Sequence, residues 1–393
     1  MVDTVTPAPR IALLFPSGHL EQHPTVKALA LSLADQGFTV DVFTLRNLAS
    51  PPPQFHHPGV RLRVHPRAVK RFKEPAARLL PSFTLWALRQ LRDAGCEILL
   101  GVGLRGLLAA TFISFLARAP VVYHCLELYP SWELRSFRWR IAKAWERWAN
   151  RRAALTIIQD ELRARLLIQD NRIDAEHIVF FPAAPYGRAI RQRTDFLRRK
   201  FNLGEEKRVV LYAGNLFADF APTLELVRAA QEWPQDWALV LHGNYSAGEV
   251  KRLVEFRQAD AARRVLFSLE PVPHDELPQL VASADVGLAL YKRSDANVLN
   301  LGLSSGKLAE YLRAGLPVVA SDNPGLRDLV EQQRCGRSVS RIEDVREALR
   351  EIFADYANYR QRSFETFDAV LALDNYAPQL AAALRALLAQ QRR

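Results

Sequence analysis

The stretch SSGKLAEYLRAGLPVVASDNPGL, Ser304 to Leu326, reads as a short loop, an amphipathic helix, a Gly-Leu-Pro stop, a buried strand and a turn. Its helix start carries chemistry as well as structure. Ser304, Ser305 and Gly306 leave backbone N–H groups free where the helix dipole favours negative charge. Lys307 adds a point cation. Glu310 follows three residues later on the same helical face, where a carboxylate accepts hydrogen bonds from a diol such as ribose. A phosphate site beside a ribose site describes a nucleotide.

Alternation of short apolar strands with helical patterns extends outward from this stretch along the whole chain and implies an α/β fold with parallel sheets. A length of 393 residues with 49% hydrophobic content exceeds one ordinary core, so two domains are expected. The first half opens with a strand at Arg10 to Phe15, a helix at Thr25 to Gln36, a stop at Gly37 and a strand at Thr39 to Thr44, which is a βαβ unit. Further strands are expected at Val60 to Val64, Glu97 to Gly101, Val121 to His124, Leu155 to Gln159 and His177 to Phe181. A Pro- and Gly-bearing segment, Phe181 to Arg193, reads as a linker. A second series follows at Arg208 to Tyr212, Ala238 to His242, Val265 to Ser268, Val286 to Tyr291 and Pro317 to Ser321. The expected domains are therefore 1–185 and 186–375, with a closing helix in 376–393 that can pack back on the first.

Several classes are disfavoured by composition. Cys96, Cys125 and Cys335 are odd in number and unpaired in spacing, against a disulfide framework or zinc site, and imply a reducing compartment. The apolar run Ile11 to Phe15 is too short for a signal peptide, and Gly106 to Ala117 is too short to cross a bilayer and reads as a buried helix. A net charge of +11 is spread over helices rather than gathered into a nucleic-acid motif, so an anionic membrane or a phosphate-bearing acceptor suits it better than nucleic acid.

The Lys-Leu-x-Glu-Tyr helix and the Gly-x-Pro-Val-x-Ala-Ser strand of 306–321 resemble the signature of family 4 glycosyltransferases, the retaining, group 1 type enzymes of the GT-B fold. That resemblance implies two Rossmann-like doubly wound domains facing each other across a cleft. It also implies a donor site in the second domain at Gly214, Asn215, Val272, His274, Asn300, Ser305, Gly306, Lys307 and Glu310. Strand VVLYAG ends at Gly214 and Asn215, like the family's Gly-rich turn. Two departures stand out. The family places cations on the diphosphate where this chain has Asn215 and Phe220, and a first Glu on the donor sugar where it has Gly302. Asp295, Asn297 and Asn300 are candidate replacements for that Glu, or plain loop residues. Val272 to His274 would flank the nucleobase, with Asp275 capping the next helix.

In the first domain the resemblance implies catalytic roles for His124 and Glu127, which end the strand VVYHCLE, together with Lys307. Gly18 and His19, with His23 beside them, would form an acceptor-side loop or else be ordinary loop residues. Gly101-Val102-Gly103-Leu104-Arg105-Gly106 matches a dinucleotide fingerprint and keeps an NAD-dependent oxidoreductase open as a rival. Leu134, Phe137, Ile141, Trp145 and Trp148 form a helical stripe fit for core packing. Trp139 stands opposite among arginines, which suits a lipid interface. The basic segment Arg61 to Arg92 can extend that face.

The expectation is thus an enzyme moving a hexosyl group from a nucleotide-diphosphate sugar to an acceptor hydroxyl, in cell-surface polysaccharide or glycolipid synthesis. No resident cofactor is expected, and the lack of an Asp-x-Asp motif argues against a required divalent metal. Expected partners are the nucleotide sugar, a glycan or lipid-linked acceptor and an anionic membrane surface, with the protein cytoplasmic or peripheral at the inner face of the cell membrane. A non-catalytic sugar-nucleotide-binding protein and an epimerase on the same fold also remain open.

Overall fold

A computed structural model describes residues 8–47, 54–69, 76–216, 221–244, 264–270, 272–273, 276–292 and 295–391. The chain divides into two compact units, one of Met1–Tyr186 with Leu373–Arg393 and one of Gly187–Ala372.

The first unit is built on a parallel sheet of seven described strands in the order β3-β2-β1-β4-β5-β6-β7. They are β1 (Arg10–Phe15), β2 (Thr39–Asn47), β3 (Val60–Val69), β4 (Ile98–Val102), β5 (Val121–His124), β6 (Leu155–Ile158) and β7 (Ile178–Phe180). Helices α1 (Pro24–Asp35), α2 (Leu80–Ala94), α3 (Gly103–Ala117), α4 (Phe137–Asn150) and α5 (Glu161–Asn171) connect them. Runs such as Ile-Ala-Leu-Leu-Phe in β1 are buried throughout, because helices cover both faces of a parallel sheet. Strand order reverses between β1 and β4, so the loops after these strands open a crevice at the carboxyl edge.

The fingerprint at 101–106 is explained by steric fit. A Cβ on Gly106 would lie 2.3 Å from the carbonyl oxygen of Leu14, and one on Gly101 would lie 2.5 Å from the backbone of Gly106. Gly103, at φ +63°, makes the turn between strand and helix. These glycines bring α3 hard against β1 and β4.

Two helices differ from expectation. Helix α3 is covered on one side only, since Phe115 is 61% and Leu116 64% exposed. Helix α4 is turned with its aromatic stripe outward, Phe137 being 75% and Trp145 46% exposed. Its buried residues are Lys143, Glu146, Ala149 and Asn150. The reason lies in what these groups meet. Lys143 bridges Glu146 at 2.9 Å and Asp170 at 2.8 Å, and Glu146 also accepts from Tyr123 at 2.8 Å. Asp170 also accepts from Ser131 and pairs with Arg147, and against desolvation Lys143 first, then Ser131 and Arg147, hold its carboxyl below the usual range. Asn150 donates to Thr156 at 2.7 Å and accepts from Asn171 at 2.8 Å. Two cations and two anions thus balance inside the unit, and rolling the stripe inward would strand them unpaired.

The second unit holds a parallel sheet of six described strands in the order β10-β9-β8-β11-β12-β13. They are β8 (Arg208–Asn215), β9 (Trp237–Asn244), β10 (Val265–Ser268), β11 (Val286–Ala289), β12 (Val318–Ser321) and β13 (Gly336–Val339). Its described helices are α6 (Phe196–Phe201), α7 (Thr223–Ala230), α8 (Leu277–Ala282), α9 (Ala296–Leu299), α10 (Gly306–Arg313), α11 (Pro324–Gln332), α12 (Val345–Ala354) and α13 (Tyr356–Thr366). Here the order reverses between β8 and β11. Strand β13 was not expected, because Gly-Arg-Ser-Val at a sheet edge carries almost no apolar signal. Helix α14 (Ala377–Gln391) belongs to the first unit, where Arg385 stacks on Phe38 at 5.0 Å.

Gly106→Ala should lower the stability of the first unit by about 1–3 kcal/mol through overpacking, measured by chemical denaturation. Unchanged stability would contradict the close approach of α3 to β1.

Candidate functional site

The second unit's best-defined site lies at its sheet reversal, between β8 and β11. Lys307 occupies the first turn of α10 and is half-buried. Its ammonium lies 3.7 Å from the ring centroid of Tyr212 and 4.9 Å from that of Tyr291. Its side chain runs past Gly214, at φ +121°, where an added Cβ would lie 3.3 Å from Lys307 Cε. The glycine turn after β8, the lysine and the start of α10 therefore converge.

Fixed contacts hold this arrangement. Tyr311 Oη accepts from the amide of Ala213 at 2.8 Å and lies 3.4 Å from the carbonyl of Leu288. Its ring fills the space over Gly287, where a Cβ would come within 2.4 Å of it. Ser305 caps α10 by accepting from the amide of Leu308 at 3.2 Å, and its Oγ lies 2.8 Å from Tyr291 Oη. The neighbouring Ser304 Oγ is buried with no partner among the described residues.

Lys307 makes no ion pair among the described residues, and desolvation lowers its pKa to about 7. Glu310, one turn on and half-buried, has its pKa raised to about 7 by desolvation, with Arg313 pulling the other way. Lys307 has given up water without gaining an ion pair among the described residues, and Glu310 has given it up against only the opposing charge of Arg313. A ligand carrying an anion for Lys307 and hydroxyls for Glu310 restores both.

Among the other donor-side candidates, Gly214 and Gly306 converge with Lys307, and the rest are dispersed. Gly214 and Asn215 are exposed at the end of β8, and Gly306 opens α10. Asn300 ends α9 and donates from Nδ2 to Ala296 O at 2.8 Å, while Asp295 caps α9 through Val298 N at 3.1 Å. Asn297 is half-buried on α9, and Gly302 is buried in the turn before α10. Asp295 and Asn300 are thus engaged in shaping the loop. Val272 is half-buried, whereas His274, Asp275 and Phe220 lie outside the described residues. Sequence reasoning missed Tyr212, Tyr291 and Tyr311, although each ends a strand motif or sits inside the Lys-Leu-x-Glu-Tyr helix.

In the first unit, Gly18 and His19 follow β1, with His19 Nδ1 3.2 Å from Asn47 Nδ2. His23 packs edge-on against Phe15 at 5.1 Å; desolvation lowers its pKa, and the charge of Glu127 opposes this. This loop and Glu127 are therefore neighbours. Glu127 is exposed and accepts from Tyr129 at 2.8 Å.

His124 departs from expectation. It is fully buried at the end of β5, aligned with Val102 on one side and Ile157 on the other. Neither ring nitrogen has a partner among the described residues, and burial pushes its pKa down to about 3. It is neutral at ordinary pH and does not share a hydrogen bond with Glu127. Among the described residues no cluster of three or more His, Cys, Asp or Glu side chains could hold a metal, and no helix is long and apolar enough to cross a membrane.

Comparison with known proteins gives the family and the fold. Residues 22–184 match a glycosyl transferase 4-like domain, and residues 207–355 match the glycosyl transferases group 1 domain. Sucrose-phosphate synthase from Thermosynechococcus elongatus is similar in structure at TM-score 0.74 and 19% identity, covering 97% of this chain and 100% of its own. HepE from Anabaena, solved with UDP and glucose, aligns at TM-score 0.70 and 18% identity over 96% of this chain and 100% of its own. WaaG, a glycosyltransferase of lipopolysaccharide biosynthesis, aligns at TM-score 0.66 and 15% identity over 95% and 99%. At these identities the likeness establishes the GT-B fold. No curated protein sequence matches significantly.

A lowered pKa means that Lys307 loses its charge as pH rises through about 7. Its reactivity toward an amine-acylating reagent, followed by peptide mass spectrometry in the free protein, should therefore level off near pH 8 instead of climbing past pH 10 as for a surface lysine. A rise persisting to pH 10 would contradict the desolvated site.

Proposed function

From a chain that belongs to the glycosyltransferases, with a 4-like first domain and a group 1 second domain, we propose transfer of a hexosyl group from a nucleotide-diphosphate sugar to an acceptor hydroxyl, with retention at the anomeric carbon. The observation that carries this reading is the desolvated Lys307 and Glu310 on one turn of α10, set against the Gly214 turn. The diphosphate belongs at Lys307 and the N–H of Gly306, since the amide of Ser305, expected free, donates to Gly302 O at 3.1 Å, and the ribose diol belongs at Glu310. Negative charge develops on the leaving diphosphate as the glycosidic bond breaks, and a preorganised cation and helix terminus stabilise that charge most in the transition state.

Glu127, with His19 and His23 nearby, is the acceptor-side group in this reading, placed to orient or deprotonate the incoming hydroxyl. His124, neutral and enclosed, acts through shape and polarity rather than proton transfer. UDP-glucose is the first donor to try, because HepE was solved with UDP-glucose bound. The acceptor is a lipid-linked or cell-surface glycan intermediate, met at the inner face of a membrane, and the donor is a substrate with no resident cofactor beside it.

A second reading rests on Gly302 and the enclosed His124: the chain binds a nucleotide sugar without turning it over. Thermal-shift measurements against UDP-, ADP- and GDP-sugars and NAD separate the possibilities. One nucleotide sugar at a hundred times its Kd should stabilise by about 2.7 kcal/mol. Lys307→Ala and Glu310→Ala should each raise that Kd by about 10- to 100-fold, the loss expected for a charged hydrogen bond, with the fold intact. Stabilisation by NAD alone would overturn the proposal, and donor binding with no sugar transferred or released across an acceptor panel would favour the second reading.

A further inference from the structure

Helices α3 and α4 present one continuous apolar surface. Phe112 of α3 lies 6.3 Å from Trp145 and 6.1 Å from Trp148 of α4, and Phe115 lies 6.3 Å from Trp148, between ring centroids. Ile141 and Phe137 continue the row toward the start of α4, one turn apart, and both are exposed. Trp139 stacks on Tyr129 at 5.6 Å between ring centroids, and Trp132 is exposed in the preceding loop.

The exposed charges around this surface are predominantly cationic. Arg105, Arg118, Arg135, Arg138, Arg140 and Arg152 are exposed, and Arg152 lies 4.5 Å over the Trp148 ring. Across residues 103–152 the exposed carboxylates are Glu127 and Glu133, and Glu127 is engaged by Tyr129. The fold fixes this orientation, because the opposite side of α4 is tied into the Lys143, Glu146 and Asp170 network.

We propose that this face docks on an anionic lipid bilayer, the aromatic row entering the headgroup boundary and the arginines pairing with lipid phosphates. Tryptophan and phenylalanine beside arginine match that boundary layer, with its apolar floor and anionic rim. A second copy of the chain fits poorly, since a two-fold contact would set one arginine-rich face against another. The proposal rests on the function proposed above for the first unit. Tyr129 joins the face to Glu127 through its hydroxyl and to Trp139 through its ring, so a membrane-borne acceptor is delivered beside the acceptor-side carboxylate.

The test is co-flotation of the full chain with phosphatidylcholine vesicles, with and without phosphatidylglycerol, alongside sedimentation of the protein alone. Binding should be at least about tenfold tighter to the anionic vesicles and should weaken with salt. Phe115→Ser with Phe137→Ser, and separately Arg138→Glu with Arg140→Glu, should each cost at least about tenfold. Phe180→Ser, at an exposed site on β7, should leave binding unchanged. Equal binding to neutral vesicles, no binding to either, or a dimer that the Phe115 and Phe137 changes dissolve would overturn the proposal. Donor-induced thermal stabilisation, measured without vesicles, reads the donor site independently, so a failed membrane test with donor binding intact refutes only the docking surface.

Discussion

The hydroxyl of Tyr311, accepting from the amide of Ala213, is the contact on which the second unit's site depends. It ties α10 to the end of β8, and the ring beside it leaves room for nothing larger than Gly287. With the helix so fixed, Lys307 is delivered to the Gly214 turn, against the rings of Tyr212 and Tyr291. Its low pKa follows from desolvation there. Desolvation of an unpaired cation is unfavourable in the empty site, and the same groups become favourable once a phosphate and a diol replace the lost water. The site is thereby preorganised.

A comparable logic shapes the first unit. Lys143, Arg147, Glu146 and Asp170 form a balanced charge network under α4, and removing one partner would leave the others buried without compensation. That network directs the helix's polar side inward and so leaves its aromatic side to the outside. Packing of α3 follows from Gly101 and Gly106, whose missing side chains admit close backbone approach. A glycine spacing that reads as dinucleotide binding is here a matter of steric fit.

Most of the architecture was legible because buried parallel strands carry continuous apolar runs. Strands β1, β5 and β10 span their expected residues, and the helix-strand signature of 304–326 forms both α10 and β12. Short polar elements escaped, as β13 shows. The orientation of α4 was unreadable from periodicity alone, because a helical stripe records that two sides differ and not which one is covered. Only the partners of Lys143 and Asn150, distant in sequence, decide that. At the site, the motif residues Lys307 and Glu310 were legible, but not the tyrosines that hold them, nor the burial of His124, which depends on strands packed from elsewhere in the chain. Asn300 and Asp295 looked free in sequence and are engaged by α9.

Lys307 and Glu310 are, in this reading, two desolvated charges completed by one nucleotide-sugar ligand. Calorimetric titration with nucleotide-diphosphate sugars, whose phosphodiester groups do not titrate near neutrality, tests this when repeated in two buffers of different ionisation heat. Both groups change charge near pH 7 in the free protein. Binding should therefore take up a proton at pH 8, as Lys307 becomes an ammonium against the diphosphate, and release one at pH 6, as Glu310 becomes a carboxylate against the ribose. Binding with no proton exchange at either pH, or no binding of any nucleotide sugar, would contradict that pairing of charges and ligand.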